Sequence, residues 1–184
     1  MGEGGTSGWI DNVNANNGTL DISNVTTLSP SIKALDGTSN TILGQKTLTL
    51  SNANSTFGNN YAEVMSGTGG LIIAAGTQIL SGQNTYTGAT SIGSGVHLTL
   101  GDGGTSGFIG NTASIANDGE LTINHSDKVT LHGAISEAGR LNHRSAAARP
   151  SSQAIIVTRA ARELPPAFCR LMVISPARSL AVRA

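Results

Sequence analysis

Three histidines, His97, His125 and His132, and two acids one residue apart, Asp118 and Glu120, are the side chains of this chain best suited to chemistry. A histidine acts as a base or a metal ligand when a second ligand or an orienting carboxylate is held beside it. None of the three has a nearby Cys, or a Glu spaced as in a helical zinc motif. They are read as surface histidines at outward positions or turns. Asp118 and Glu120 could face one groove, as paired carboxylates do in β-helical glycan-cleaving enzymes, but lone acids near turns are usually solvated. The glycine runs at 67–70 and 101–104 lack the dinucleotide fingerprint and the Gly-Lys-Thr/Ser ending of a phosphate loop. Gly101-Asp102-Gly103-Gly104 also lacks the nine-residue recurrence of a calcium-binding roll. The lone cysteine, Cys169, permits no intrachain disulfide and no cysteine-rich zinc site. No catalytic, cofactor-binding or metal-ligating residue is therefore expected, and the chain is read as not an enzyme. Asn17, Asn24, Asn54 and Asn124 match the glycosylation tripeptide, a match that recurs by chance in a chain so rich in Asn and Thr.

The elements that would position such groups differ sharply between the two parts of the chain. All 24 glycines precede Arg140, and all eight arginines follow Gly139. Three lysines (Lys33, Lys46, Lys128) face ten acids in residues 1–139, whereas eight arginines face only Glu163 in residues 140–184. The formal neutrality of the whole is thus the cancellation of an acidic segment and a basic one. Two regions are expected: a folded one at 1–139 and an Arg/Ala/Pro-rich tail at 140–184.

Within 1–139, aliphatic and polar residues alternate in short pieces: Leu20-Asp21-Ile22, Leu48-Thr49-Leu50, Val96-His97-Leu98-Thr99-Leu100, Leu121-Thr122-Ile123 and Val129-Thr130-Leu131. A period of two places alternate side chains on opposite faces, the pattern of a half-buried strand. Clusters such as Asn14-Ala15-Asn16-Asn17-Gly18 and Asn117-Asp118-Gly119 supply turns. Aromatic residues are scarce, so the core must come from stacked Leu, Ile, Val and Ala. No convincing amphipathic helix precedes residue 139.

The chain also repeats itself. Gly2-Glu3-Gly4-Gly5-Thr6-Ser7-Gly8-Trp9-Ile10 returns as Gly101-Asp102-Gly103-Gly104-Thr105-Ser106-Gly107-Phe108-Ile109, and Asn17-Gly18-Thr19-Leu20-Asp21-Ile22 returns as Asp118-Gly119-Glu120-Leu121-Thr122-Ile123. A weaker echo pairs Ser51-Asn52-Ala53-Asn54 and Gly58 with Ser81-Gly82-Gln83-Asn84 and Gly88. Short strands, small turns and reuse along one axis predict a parallel β-helix with coils of about 20 residues, about six of them in residues 1–139. An antiparallel sandwich is the competing fold, but it does not call for repeated sequence.

The run Leu80-Ser81-Gly82-Gln83-Asn84-Thr85-Tyr86-Thr87-Gly88, followed by Gly95-Val96-His97-Leu98-Thr99-Leu100-Gly101, resembles the passenger-associated β-strand repeat of bacterial autotransporters. The close match covers about residues 67–110, and residues 2–24 repeat the part that follows it. The resemblance implies an all-β fold, a right-handed parallel β-helix, and a fragment of a type V secreted passenger: a structural stalk of a surface-displayed adhesin, without catalysis of its own. It implies a cell-surface, outer-membrane or secreted parent. The partner would be a host-surface or extracellular-matrix ligand met by the intact passenger, with no nucleic acid, and the full-length protein would carry an outer-membrane barrel. Neither a signal peptide, a transmembrane segment nor that barrel is evident in this chain. In the repeat, Gly82 and Gly88 are expected where a Cβ would clash, Asn84 to bond a neighbouring coil, and Thr85 and Thr87 to flank Tyr86 on the opposite face. The alternatives are a fragment of a β-helical glycan hydrolase or lyase and a truncated, non-functional gene product. Ice or crystal binding through threonine ladders is weak, since Thr47/Thr49 and Thr85/Thr87 do not recur at one coil period.

The tail, with four of the five prolines and no glycine or lysine, has the composition expected of a GC-rich gene translated out of frame. It is expected to be poorly ordered, with at most a short helix over 152–163 that stops before Pro165. Its arginines are single and lack interleaved aromatics, unlike a nucleic-acid-binding arm.

Overall fold

A computed structural model describes residues 9–10, 13–15, 18–53, 59–144, 155–159 and 171–174, the outermost short strands by their backbone alone. Three sheets run along one axis. The first contains β1 (Trp9–Ile10), β4 (Ser31–Ile32), β7 (Leu48–Leu50), β10 (Leu71–Ile73), β12 (Thr90–Ile92), β14 (Ser114–Asn117), β16 (Thr130–Glu137), β18 (Ile155–Arg159) and β19 (Leu171–Ile174), in that spatial order. The second contains β2 (Val13–Ala15), β5 (Leu35–Gly37), β8 (Asn60–Tyr61), β11 (Thr77–Leu80), β13 (His97–Leu100), β15 (Glu120–Asn124) and β17 (Arg140–Arg144). The third contains β3 (Leu20–Asp21), β6 (Thr41–Gly44) and β9 (Met65–Gly67). Its ladder is continued by backbone bonds from Thr85 N to Met65 O and from Thr87 N to Gly67 O.

Each strand pairs in parallel with the strand one coil away, at separations from 18 residues (Ser31 with Thr49) to 26 (Thr130 with Ile156). The exception among the described strands is the antiparallel pair β18 and β19. The chain is a parallel β-solenoid of about six turns, with no helix among the described residues. An antiparallel sandwich is excluded by this pairing.

Period-two alternation becomes inward rows of stacked aliphatics. On the first sheet, Leu48, Leu71, Thr90, Ile115 and Ile135 form one row, and Ile32, Leu50, Ile73, Ile92 and Asn117 form the other. On the second, Tyr61, Leu80, Leu100, Ile123 and His143 align, beside Gln78, Leu98, Leu121 and Leu141. Like side chains recur one strand spacing apart, about 4.8 Å, so each fills the gap above its neighbour and excludes water. The five strands anticipated by alternation all form. Leu71-Ile72-Ile73 escapes that pattern because Ile72 faces outward between Thr49 and Ser91.

One expectation is corrected, and one observation is added. The proposed helix over 152–163 is crossed by β18, whose Ile155, Ile156, Val157 and Thr158 are all β-branched and therefore favour extended backbone. The change of composition at Gly139 is not the end of the ladder: Arg140–Arg144 pair residue for residue with Glu120–Asn124. The alternation of Leu141 and His143 continues that of Leu121 and Ile123, and it outlasts the loss of glycine. Most of 145–184 lies outside the described residues.

The two copies of the longer repeat are not superposed on the same face. Leu20 and Asp21 belong to the third sheet, and Leu121 and Thr122 to the second. Nor is the echo between Ser51 and Ser81 a coil period, since Ser51 follows a strand of the first sheet and Ser81 one of the second.

Candidate functional site

The residues of the passenger-type repeat lie at the contact between coils. The Asn84 side chain accepts a hydrogen bond from Met65 N (2.9 Å) and donates to Gly82 O (3.1 Å), while its backbone N–H donates to Phe108 O (3.0 Å). One buried amide thus ties its own turn to the coils before and after it. A Cβ on Gly82 would stand 2.0 Å from the Glu63 carbonyl oxygen, and one on Gly88 2.3 Å from that of Gly69. Both glycines are required by close approach of backbones. Thr85 and Thr87 are exposed and Tyr86 is fully buried, as alternation requires. The Tyr86 hydroxyl shares a 2.7 Å hydrogen bond with Thr90 Oγ1, which shares another with Thr112 Oγ1 (3.2 Å), and Thr112 donates to Gly88 O (2.5 Å). Burial pushes the Tyr86 phenol far up, and that of Tyr61 to about 12, so both stay neutral donors.

The glycine run at 67–70 serves the same packing. A Cβ on Gly69 or Gly70 would collide with the carbonyl of Lys46 or Ala89, so their backbone lies against another coil and forms no phosphate cradle.

On the outward face of the second sheet, Thr77, His97, Glu120 and Arg140 occupy successive positions of one row. His97 Nδ1 stands 3.4 Å from Glu120 Oε2, and Asn142 Nδ2 donates to Glu120 Oε1 at 2.6 Å. Both carboxylate oxygens are engaged by neighbouring coils. Asp118 is exposed in the turn before β15. Glu120 thus works within a ladder, and Asp118 stands at a corner. The arrangement is that of cross-strand pairing.

His97 and His132 are exposed, as expected, but His125 is not. It is 2% exposed, with Nε2 3.0 Å from Gly107 O and Nδ1 3.1 Å from Asp127 Oδ1. The reason is the loop at 101–107, which lengthens its coil and lays Gly101 against the imidazole. A Cβ there would be 2.7 Å from His125 Cδ2. His143, which sequence reasoning passed over, occupies the inward row above Ile123, and its Nδ1 is buried without a partner. Burial, and then the nearby His125, hold it below the usual histidine range. Aligning Arg140-Leu141-Asn142-His143 with Glu120-Leu121-Thr122-Ile123 would have revealed that position.

Among the described residues no group of three or more His, Cys, Asp or Glu is placed to hold a metal ion, and no helix is long and apolar enough to cross a membrane. Of the glycosylation tripeptides, Asn24 is exposed in a turn and Asn124 ends β15; Asn17 and Asn54 lie outside the described residues.

No family model matches the chain, and no solved structure matches it. A stretch of 76 residues, 40% of this chain, is 42% identical to the adhesin BmaC autotransporter of Brucella suis biovar 1 (strain 1330). The solenoid and the inter-coil role of the repeat agree with that similarity. The chain fits an autotransporter passenger domain. The match spans about 2% of the length of that relative.

Proposed function

We propose that these coils are a stalk segment of a surface-displayed passenger that serves adhesion, holding other parts of the protein away from the outer membrane, without catalysis of their own. The observation that carries this reading is that the repeat's characteristic residues, Gly82, Asn84, Tyr86 and Gly88, are engaged in joining one coil to the next. They are turned inward or onto neighbouring backbone, and they set the spacing of the stack. About six turns at one strand spacing each give a rod roughly 30 Å long. The similarity to an adhesin supports the location and the class of role.

The test is to display the chain on cells between a secretion signal and an outer-membrane barrel, within a passenger of known adhesion. Deleting one whole coil, and inserting one, should leave adhesion in place and change the reach of the passenger by about 5 Å per coil. Loss of adhesion on deletion, with the remaining coils still folded and displayed, would instead place ligand contacts in the removed coil. Activity on a glycan that vanishes in an Asp118→Ala, Glu120→Ala double variant would overturn the non-enzymatic part.

A further inference from the structure

His125 is buried between two acceptors. Its Nε2 meets the Gly107 carbonyl and its Nδ1 meets the Asp127 carboxylate. A carbonyl never donates, and an ionised carboxylate only accepts. A neutral imidazole has one N–H, so whichever tautomer it adopts, one ring nitrogen turns a lone pair toward an oxygen. Water has little access to intervene at a side chain this buried. Only the imidazolium satisfies both contacts.

The segment on the far side of that ring is built to be held and released. The loop at 101–107 carries three glycines at positive φ, Gly101 (+82°), Gly103 (+100°) and Gly107 (+105°). It meets the following coil through Gly103 N to Asn124 O and Ser126 N to Gly104 O, both 2.9 Å. It is rooted in the coil below through Gly101 N to Leu80 O and Phe108 N to Gly82 O. The side chain that clamps its far end is His125. In the earlier copy of the repeat the aligned position is Asn24, which carries no imidazole.

We infer that His125 is a proton-operated latch, its imidazolium fastening the loop at 101–107 to the turn at 124–127 and its deprotonation releasing that loop. The titratable groups around it are Asp127 in its own turn, His143 on β17 in the next coil, and Asp102 in the clamped loop, whose Oδ1 accepts a hydrogen bond from Gly104 N; Lys128 follows Asp127 along the chain and is exposed. Asp127 supplies the acceptor for Nδ1–H. His143, half-buried with a buried and unpartnered Nδ1, is held below the usual histidine range by burial and then by His125. The sign follows from the geometry. Deprotonating His125 replaces one hydrogen bond by a contact between lone pairs, so the clamp weakens as pH rises. This inference does not depend on the stalk reading.

The experiment uses the full chain, with ring-nitrogen NMR of the histidines and amide exchange of the loop followed between about pH 5 and pH 8. At the acid end the His125 ring should show both nitrogens protonated. As it loses its proton, Gly103 and Ser126 should lose about tenfold of their protection once the intrinsic pH dependence of exchange is removed, while amides of β11 and β13 hold theirs. Asp127→Asn is the discriminating variant, because the introduced amide can donate to Nδ1 and leave Nε2–H for Gly107. It should keep the loop protected across the whole range. A neutral His125 at the acid end, protection that does not change as the ring titrates, or Asp127→Asn behaving like the parent protein would each overturn the latch.

Discussion

A polar group at an inward position adds to stability where a partner is within reach and costs stability where none is. Thr90 interrupts the row of Leu71 and Ile115, yet its hydroxyl is shared with Tyr86 and Thr112. His143 continues the row of Leu100 and Ile123 with a buried Nδ1 that lacks a partner. Because burial first, and His125 second, hold it below its ordinary value, the unfolded chain binds a proton more readily than the folded one. Stability from this site is full above about pH 6.5 and declines as pH falls through the lowered value. His143→Leu should therefore raise stability by about 1 kcal/mol by removing the orphaned nitrogen, and should flatten the acid side of a denaturation series recorded between about pH 5 and pH 8. In the opposite sense, Asn84→Ala leaves Met65 N without its acceptor and should cost about 1–3 kcal/mol in chemical denaturation. The two substitutions thus separate satisfied from unsatisfied burial by opposite signs.

Between elements, the interval from one coil to the next leaves no room for a methyl group at Gly82 or Gly88. Gly82→Ala would push a Cβ onto the Glu63 backbone, and backbone, unlike the end of a side chain, cannot swing away. A loss of about 2 kcal/mol is expected, read as a lowered thermal midpoint. By contrast, Thr99→Ser on the outward face of β13 should stay within about 0.5 kcal/mol. Beside it, Leu98→Ala should cost about 2–5 kcal/mol because its site lies between Gln78 and Leu121 in a closed stack. Adjacent residues of one strand would then differ several-fold, which checks the inward and outward assignment directly.

Taken as a whole, the molecule is a stack whose units are held by their neighbours, so its ends matter more than its middle. β16 pairs with β14 on one side and with β18 on the other. Removing residues 145–184 would take away β18 and leave the edge of β16 unpaired, an invitation to edge-to-edge association. Such a deletion should keep the strand signal of the preceding coils in circular dichroism but increase oligomers in sedimentation. An unchanged monomer would show that β18 contributes no cover.

Much of this architecture is determined by local sequence alone. Leu48-Thr49-Leu50 or Leu98-Thr99-Leu100 declares its buried face whatever surrounds it, because successive side chains of a strand point to opposite sides. The glycines and Asn84 of the repeat also announce a tight contact, since only small or amide-bearing residues suit one. Which strand stacks on which is another matter. It depends on the lengths of all the turns between, and these vary enough to put Leu20 on the third sheet and its repeated counterpart Leu121 on the second. The same rephasing set the environment of His125, a turn residue by sequence that the loop at 101–107 covers, and of Arg140–Arg144, which continue the second sheet despite their change of composition. Alternation along a strand is a property of neighbouring residues, and it was legible; stacking is a sum over a whole coil, and only the tertiary structure carries it out.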